Sequence, residues 1–184
     1  MRLFTAVTLG DTLTARAEQG IERLRAHAPE AKWVKPEGVH LTLLFLGDVD
    51  PSCLSLFHEA LDPVGPRHAP FVLSVGGGGT FGAPHHPSVL WADVRGDIVA
   101  LKALQADVAS ALAPLGFASE HPEYTAHLTL ARSKKPHGDA ALAACARLLD
   151  QESWGEGRVD RLSVFESAGG HYASRWELPL GRGA

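Results

Sequence analysis

Apolar positions along this chain switch between two spacings, and each switch marks an element. Residues 2–9 are apolar enough for a strand, closed by Gly10 and Asp11. Leu13, Ala17, Ile21 and Leu24 then recur every three or four positions, with Arg16, Glu22 and Arg23 on the polar side. That spacing predicts a helix over 12–28 with Asp11 as its N-cap. An extended piece, Lys32 to Lys35, leads through Pro36 into the apolar run from Val39 to Gly47. Asp50 before Pro51 predicts a capped start to a helix that ends near Leu61.

Breakers over 62–66 precede a strand at Phe71–Val75 and a pliable turn at Gly76–Gly79. The turn lacks the following Gly-Lys-Ser/Thr of a phosphate-cradling loop. His85 and His86 read as a solvated loop before Pro87, and 88–94 as a strand. Leu101, Leu104, Val108, Leu112 and Leu115 form one stripe on a helix over 96–115, stopped by Gly116. Residues 126–132 read as a strand, 133–138 as a basic turn and 140–149 as a helix; 158–167 and 172–180 close the chain as a strand pair. Strand-helix-strand-helix thus occurs once in each half. The order suggests an α+β fold of two similar lobes, each an antiparallel sheet with helices on its outer face, with a cleft between the sheets.

The chain has 184 residues, 45% of them hydrophobic, which suffices for a packed core in one domain. A formal charge of −4 argues against a broad basic surface, so a nucleic acid would be gripped at one end. Cys53 and Cys145 are too few for a disulfide framework or a cysteine metal site, and a reducing cytoplasm is the expected setting. No signal-like core opens the chain and no apolar run approaches membrane-spanning length, so neither export nor a membrane span is expected.

One tetrapeptide, His-Leu-Thr-Leu, occurs at His40–Leu43 and again at His127–Leu130, each time in a predicted strand. Side chains alternate faces along a strand, so His40 shares a face with Thr42, and His127 with Thr129, while the leucines turn away. A neutral imidazole accepts a proton and an imidazolium donates one; a facing pair supplies both halves of acid–base chemistry without a metal. Threonine hydroxyls donate to phosphate oxygens. A single strand histidine is more often a satisfied core residue; two His-x-Thr pairs are what point to chemistry.

These two motifs resemble the paired H-x-T motifs of the 2H phosphoesterase superfamily, and their flanks resemble the RNA 2',3'-cyclic phosphodiesterases, also called 2'-5' RNA ligases. Supporting marks are Arg2–Val7, His40–Gly47, Val89–Trp91, His127–Arg132, Leu162–Ser167 and Tyr172. Ala126 departs from the pattern, where the family usually has proline. The resemblance implies a single domain over 1–184 made of two pseudo-symmetric lobes. It implies metal-independent hydrolysis of RNA 2',3'-cyclic phosphate ends to 2'-phosphates, with reverse 2'-5' ligation, by His40 and His127 as the acid–base pair. Thr42 and Thr129 would hold the phosphate, and Arg132 would contact phosphate or nucleotide. No cofactor and no metal are expected; the expected partner is RNA with a cyclic phosphate end, tRNA halves among the candidates, and the expected state a cytoplasmic monomer.

Strict alternation places Arg132 opposite His127 unless the strand ends or bulges before it. It also places Phe45 in the core. Phe81, Trp91 and Tyr172 are aromatics available to stack on a base or to be buried. Rival readings are a phosphodiesterase for another cyclic phosphate or for 2'-5' oligonucleotides, and a non-catalytic module that binds RNA ends. A histidine metal protein is disfavoured by the lack of H-x-x-x-H spacing.

Overall fold

The computed structural model describes residues 1–35, 38–118, 123–169 and 171–181. Pro36 and Glu37, expected as the turn before the first motif, lie outside the described residues. The elements in order are β1 (Arg2–Val7), α1 (Asp11–Arg25), β2 (Lys32–Trp33), β3 (Leu41–Asp48), α2 (Leu54–Leu61), β4 (Phe71–Ala83), β5 (His86–Gly96), α3 (Ile98–Leu112), β6 (His127–Arg132), α4 (Ala140–Leu149), β7 (Ser153–Val159), β8 (Arg161–Ala168) and β9 (His171–Pro179). The strands form two antiparallel sheets, ordered β3-β1-β8-β9 and β2-β6-β5-β4-β7, so the fold is α+β as expected.

The sheets are not built from the two chain halves. β2 leaves the N-terminal half to pair with β6, while β8 and β9 return from the C-terminus to pair beside β1. The helices cross over as well. α1 packs on β7 and α4, and α3 packs on β3 and α2. Only pairing between distant segments produces this interleaving, and local spacing carries no record of it. One continuous core joins the two sheets, running from Leu3 and Leu41 through Leu104 and Leu128 to Leu162.

Several local expectations need correction. Asp11 is the first residue of α1, and Gly10, at φ 76°, occupies the cap position without a side-chain bond. Asp50 does cap its helix, accepting from the Ser52 amide at 2.8 Å, but the first turn, Pro51–Cys53, is 3₁₀. Gly76–Gly79 is no turn. It lies inside β4, which bulges between Val75 and Gly78. A Cβ on Gly76 would press to 2.9 Å on the Glu152 carbonyl, and one on Gly79 to 2.6 Å on the Trp91 ring, so the glycines permit close packing. The single strand expected over 158–167 is two, broken at Asp160, where the chain passes from one sheet to the other.

One stretch does reach membrane-spanning length, against expectation: Ile98–Leu115 covers 18 residues at a mean hydropathy of 1.4. Leu101, Leu104, Val108 and Leu112 on it are fully buried in the fold, and its Asp107 is held by His68 at 2.8 Å and Arg67 at 3.2 Å. It packs one apolar stripe on the core and leaves its other face, with Val99 at 85% exposure, open.

Candidate active site

Cross-strand partners in an antiparallel sheet share a face, so the ladders identify which side chains lie together. In the five-stranded sheet His127 pairs with Asp93, and Thr129 with Trp91. The register then shifts: Leu90 pairs with Ala131, leaving Leu130 as the extra residue of a bulge. Leu130 and Ala131 are both buried, and Arg132, paired with Val89 and Lys32, emerges exposed on the face of His127 and Thr129. The parity conflict at Arg132 is thereby resolved by a bulge.

The four-stranded sheet repeats the device. Ala6 pairs with Thr42 but Thr5 with Leu44, so Leu43 is the extra residue in β3. Leu43 and Leu44 both turn inward, and Phe45, paired with Phe4, returns to the face of Thr42. The expectation that Phe45 belongs to the core is wrong: it is 67% exposed. The two motifs therefore extend one step further than His-x-Thr. The third member is Phe45 in one copy and Arg132 in the other.

Each imidazole is walled by aromatic rings. His40, immediately before β3, stacks on Phe4 with centroids 4.8 Å apart and lies 5.6 Å from Phe165, while Tyr172 meets it edge-on at 5.2 Å. His127 takes the edge-to-face approach of Phe81 at 5.0 Å, with Trp91 at 6.4 Å. Trp91 lies over Gly79 and is half-buried; Phe81, at 37% exposure, is the more open ring. Tyr172 is half-buried against Gly38 and Phe4. Thus Trp91 and Tyr172 pack on the histidines' own neighbourhood. Phe4, Phe165 and Lys32 complete the faces; alternation along their strands gives no sign of that placement.

The Nδ1–H of His127 donates to the Thr125 carbonyl at 2.8 Å, which leaves Nε2 with its lone pair in the neutral ring. The two motif strands are also tied together. Tyr124 donates its hydroxyl to the Thr42 carbonyl at 3.0 Å, and Val34, on the approach to His40, donates its amide to Leu130 of β6 at 2.9 Å. Burial pushes the Tyr124 phenol well above its ordinary pKa, so it stays a donor. A hollow of about 440 Å³ between α2 and β9 is lined by Leu54, Ser55, His58, Ser174, Arg175 and Trp176, and holds none of the motif residues. Among the described residues no three His, Cys, Asp or Glu side chains are grouped to hold a metal ion.

Two sheets that each present an imidazole, a hydroxyl and a bulge-delivered third residue define a recognisable class. Residues 13–171 match the 2'-5' RNA ligase superfamily, and the chain belongs to that family. An RNA 2',3'-cyclic phosphodiesterase of Archaeoglobus fulgidus is 35% identical over 167 residues, 91% of either chain. One of Geobacillus stearothermophilus is 39% identical over 124 residues, which take in 65% of this chain and 39% of that protein. Among solved structures, TT0787 of Thermus thermophilus superposes with a TM-score of 0.78 at 23% identity over 100% of both chains. E. coli LigT complexed with 3'-AMP does so at 0.73 and 22% identity over 98% of both.

Proposed function

We propose that this chain hydrolyses RNA 2',3'-cyclic phosphate ends to 2'-phosphates, with His40 as general acid and His127 as general base on one phosphorus. The observation that carries the reading is the matched pair of bulged motifs, the first bonded at the Thr42 carbonyl by Tyr124 on the segment that leads into the second. The names of the relatives from A. fulgidus and G. stearothermophilus support the substrate class.

The donor bond from His127 to the Thr125 carbonyl leaves Nε2 able to accept a proton from water. Phe4 and Phe165 pack against the His40 ring and hold it in place. Water attacks phosphorus and its proton passes to His127; the P–O3' bond breaks and O3' takes the proton of His40. The 2'-phosphate and a 3'-hydroxyl remain. Thr42, Thr129 and the two-pronged guanidinium of Arg132 hold the nonbridging oxygens as charge gathers on them. Phe45 and Phe81, the open rings on the two faces, flank the nucleoside. Run backwards with an RNA 5'-hydroxyl in place of water, the same groups form a 2'-5' linkage. No step calls on a metal.

The test is incubation of the purified protein, in the presence of a chelator, with an RNA bearing a 2',3'-cyclic end. The expected product carries a 2'-phosphate and a free 3'-hydroxyl, at a rate that falls at both acid and alkaline pH. A 3'-phosphate product contradicts the departure of O3', and binding without turnover favours a module that only holds RNA ends.

A further inference from the structure

A bulge leaves the backbone groups around it without their regular ladder partners, and buried carbonyls must then be met by other donors. At the β3 bulge, three successive carbonyls accept from side chains. Thr42 accepts from the Tyr124 hydroxyl at 3.0 Å, Leu43 from Gln105 Nε2 at 3.4 Å and Leu44 from Thr5 Oγ1 at 3.4 Å. β3 lies at the edge of its sheet, and among the described residues no strand pairs with it on the outer side. The Tyr124 bond is the shortest of the three.

Tyr124 is also the one donor of the three that belongs to the second motif's approach. The next residue, Thr125, provides the carbonyl that fixes His127, and β6 starts two residues later. Tyr124 is itself packed against the main core. From these contacts we infer that Tyr124 is a positioning residue that couples the two motifs: its hydroxyl holds the Thr42 bulge in place relative to His127. The inference rests on the proposed reaction, because it assigns Tyr124 the task of keeping Thr42 and His127 on the same phosphate. Small misplacements of groups acting together on one centre are costly: a shift of about 1 Å costs roughly 100-fold in rate.

The experiment is a pair of double-mutant cycles on hydrolysis of a cyclic-ended RNA. Tyr124→Phe keeps the half-buried ring and removes the hydroxyl alone. It is expected to lower kcat by about 10- to 100-fold, within the range that such misplacement produces, in a protein that still melts cooperatively. Combined with Thr42→Ala, the two losses should fall short of multiplying, because the hydroxyl that Tyr124 positions is already gone. Combined with Arg132→Ala, on the strand that Tyr124 precedes rather than holds, they should multiply. General loosening of the fold multiplies in both cycles and overturns the inference. A wild type that turns over beside a Tyr124→Phe variant of equal kcat overturns it alone. A wild type that leaves the cyclic end intact overturns the proposed reaction, and this inference with it.

Discussion

Thr129 and Arg132 face the same side of β6 although three positions separate them, because Leu130 and Ala131 both turn inward at the bulge. The arrangement puts a hydroxyl and a guanidinium on the same face of one strand as the imidazole of His127. Arg132→Ala should lower kcat by about 100-fold, the usual cost of losing a donor to developing charge. Arg132→Lys should recover only part of it, since an ammonium is a point charge without the fork. Steady-state kinetics on a cyclic-ended RNA check this, and a normal alanine variant removes Arg132 from the chemistry.

Phe45 and Phe4 are cross-strand partners with opposite fates, one 67% exposed and the other 2%. Phe45→Ala should change stability by no more than about 0.5 kcal/mol but raise KM for the nucleotide end about 5- to 100-fold, the worth of one stacked base. Phe4→Ala, which empties the space under His40, should cost about 3–5 kcal/mol. Denaturant melts together with KM separate the two. Equal destabilisation would return Phe45 to the core.

Gly79 has a side-chain-free face because the Trp91 ring occupies that space. Gly79→Ala should push Trp91 aside, costing about 1–3 kcal/mol of stability, and should lower kcat by displacing the ring behind His127. The readouts are the melting midpoint and Trp fluorescence. An unchanged spectrum with full activity contradicts the close packing.

Asp139 caps α4, accepting from the Ala141 amide at 3.0 Å, and lies 3.1 Å from Lys135 Nζ. The amide bond, aided by Lys135, holds its pKa below the ordinary carboxylate value. The unfolded chain therefore takes up this proton at a higher pH than the folded one. The stabilisation is complete above the unfolded value of about 4 and is lost as pH falls through the folded value. Asp139→Ala should be less stable than wild type by about 1 kcal/mol at pH 7, and the gap should close below pH 4. Urea midpoints across pH measure it; a constant gap contradicts the linkage.

The proposed site pairs, His40 with Thr42 and His127 with Thr129, are legible in the sequence because they follow simple alternation over three residues, which any strand imposes. Beyond them alternation fails. Leu43 and Leu130 look like ordinary buried strand residues, yet each is the extra residue that turns Phe45 or Arg132 back to the site. The glycines at 76–79 carry the composition of a turn, and only the Trp91 ring and the Glu152 carbonyl explain why β4 needs them. The break at Asp160 and the exchange of β2, β8 and β9 between sheets depend on partners far away in the chain. Helix positions, set by local spacing, came through closest to expectation.

Joint action of His40 and His127 on one phosphorus, as proposed, is read out by single-turnover hydrolysis of a 2',3'-cyclic-ended RNA by His40→Ala, His127→Ala and the double variant. Each single variant should lose on the order of 10³-fold in rate while still melting cooperatively, and the double should lose only a few-fold more, since groups that work as a unit are not additive. Losses that multiply, or a near-normal rate in either single variant, contradict joint action on one phosphorus.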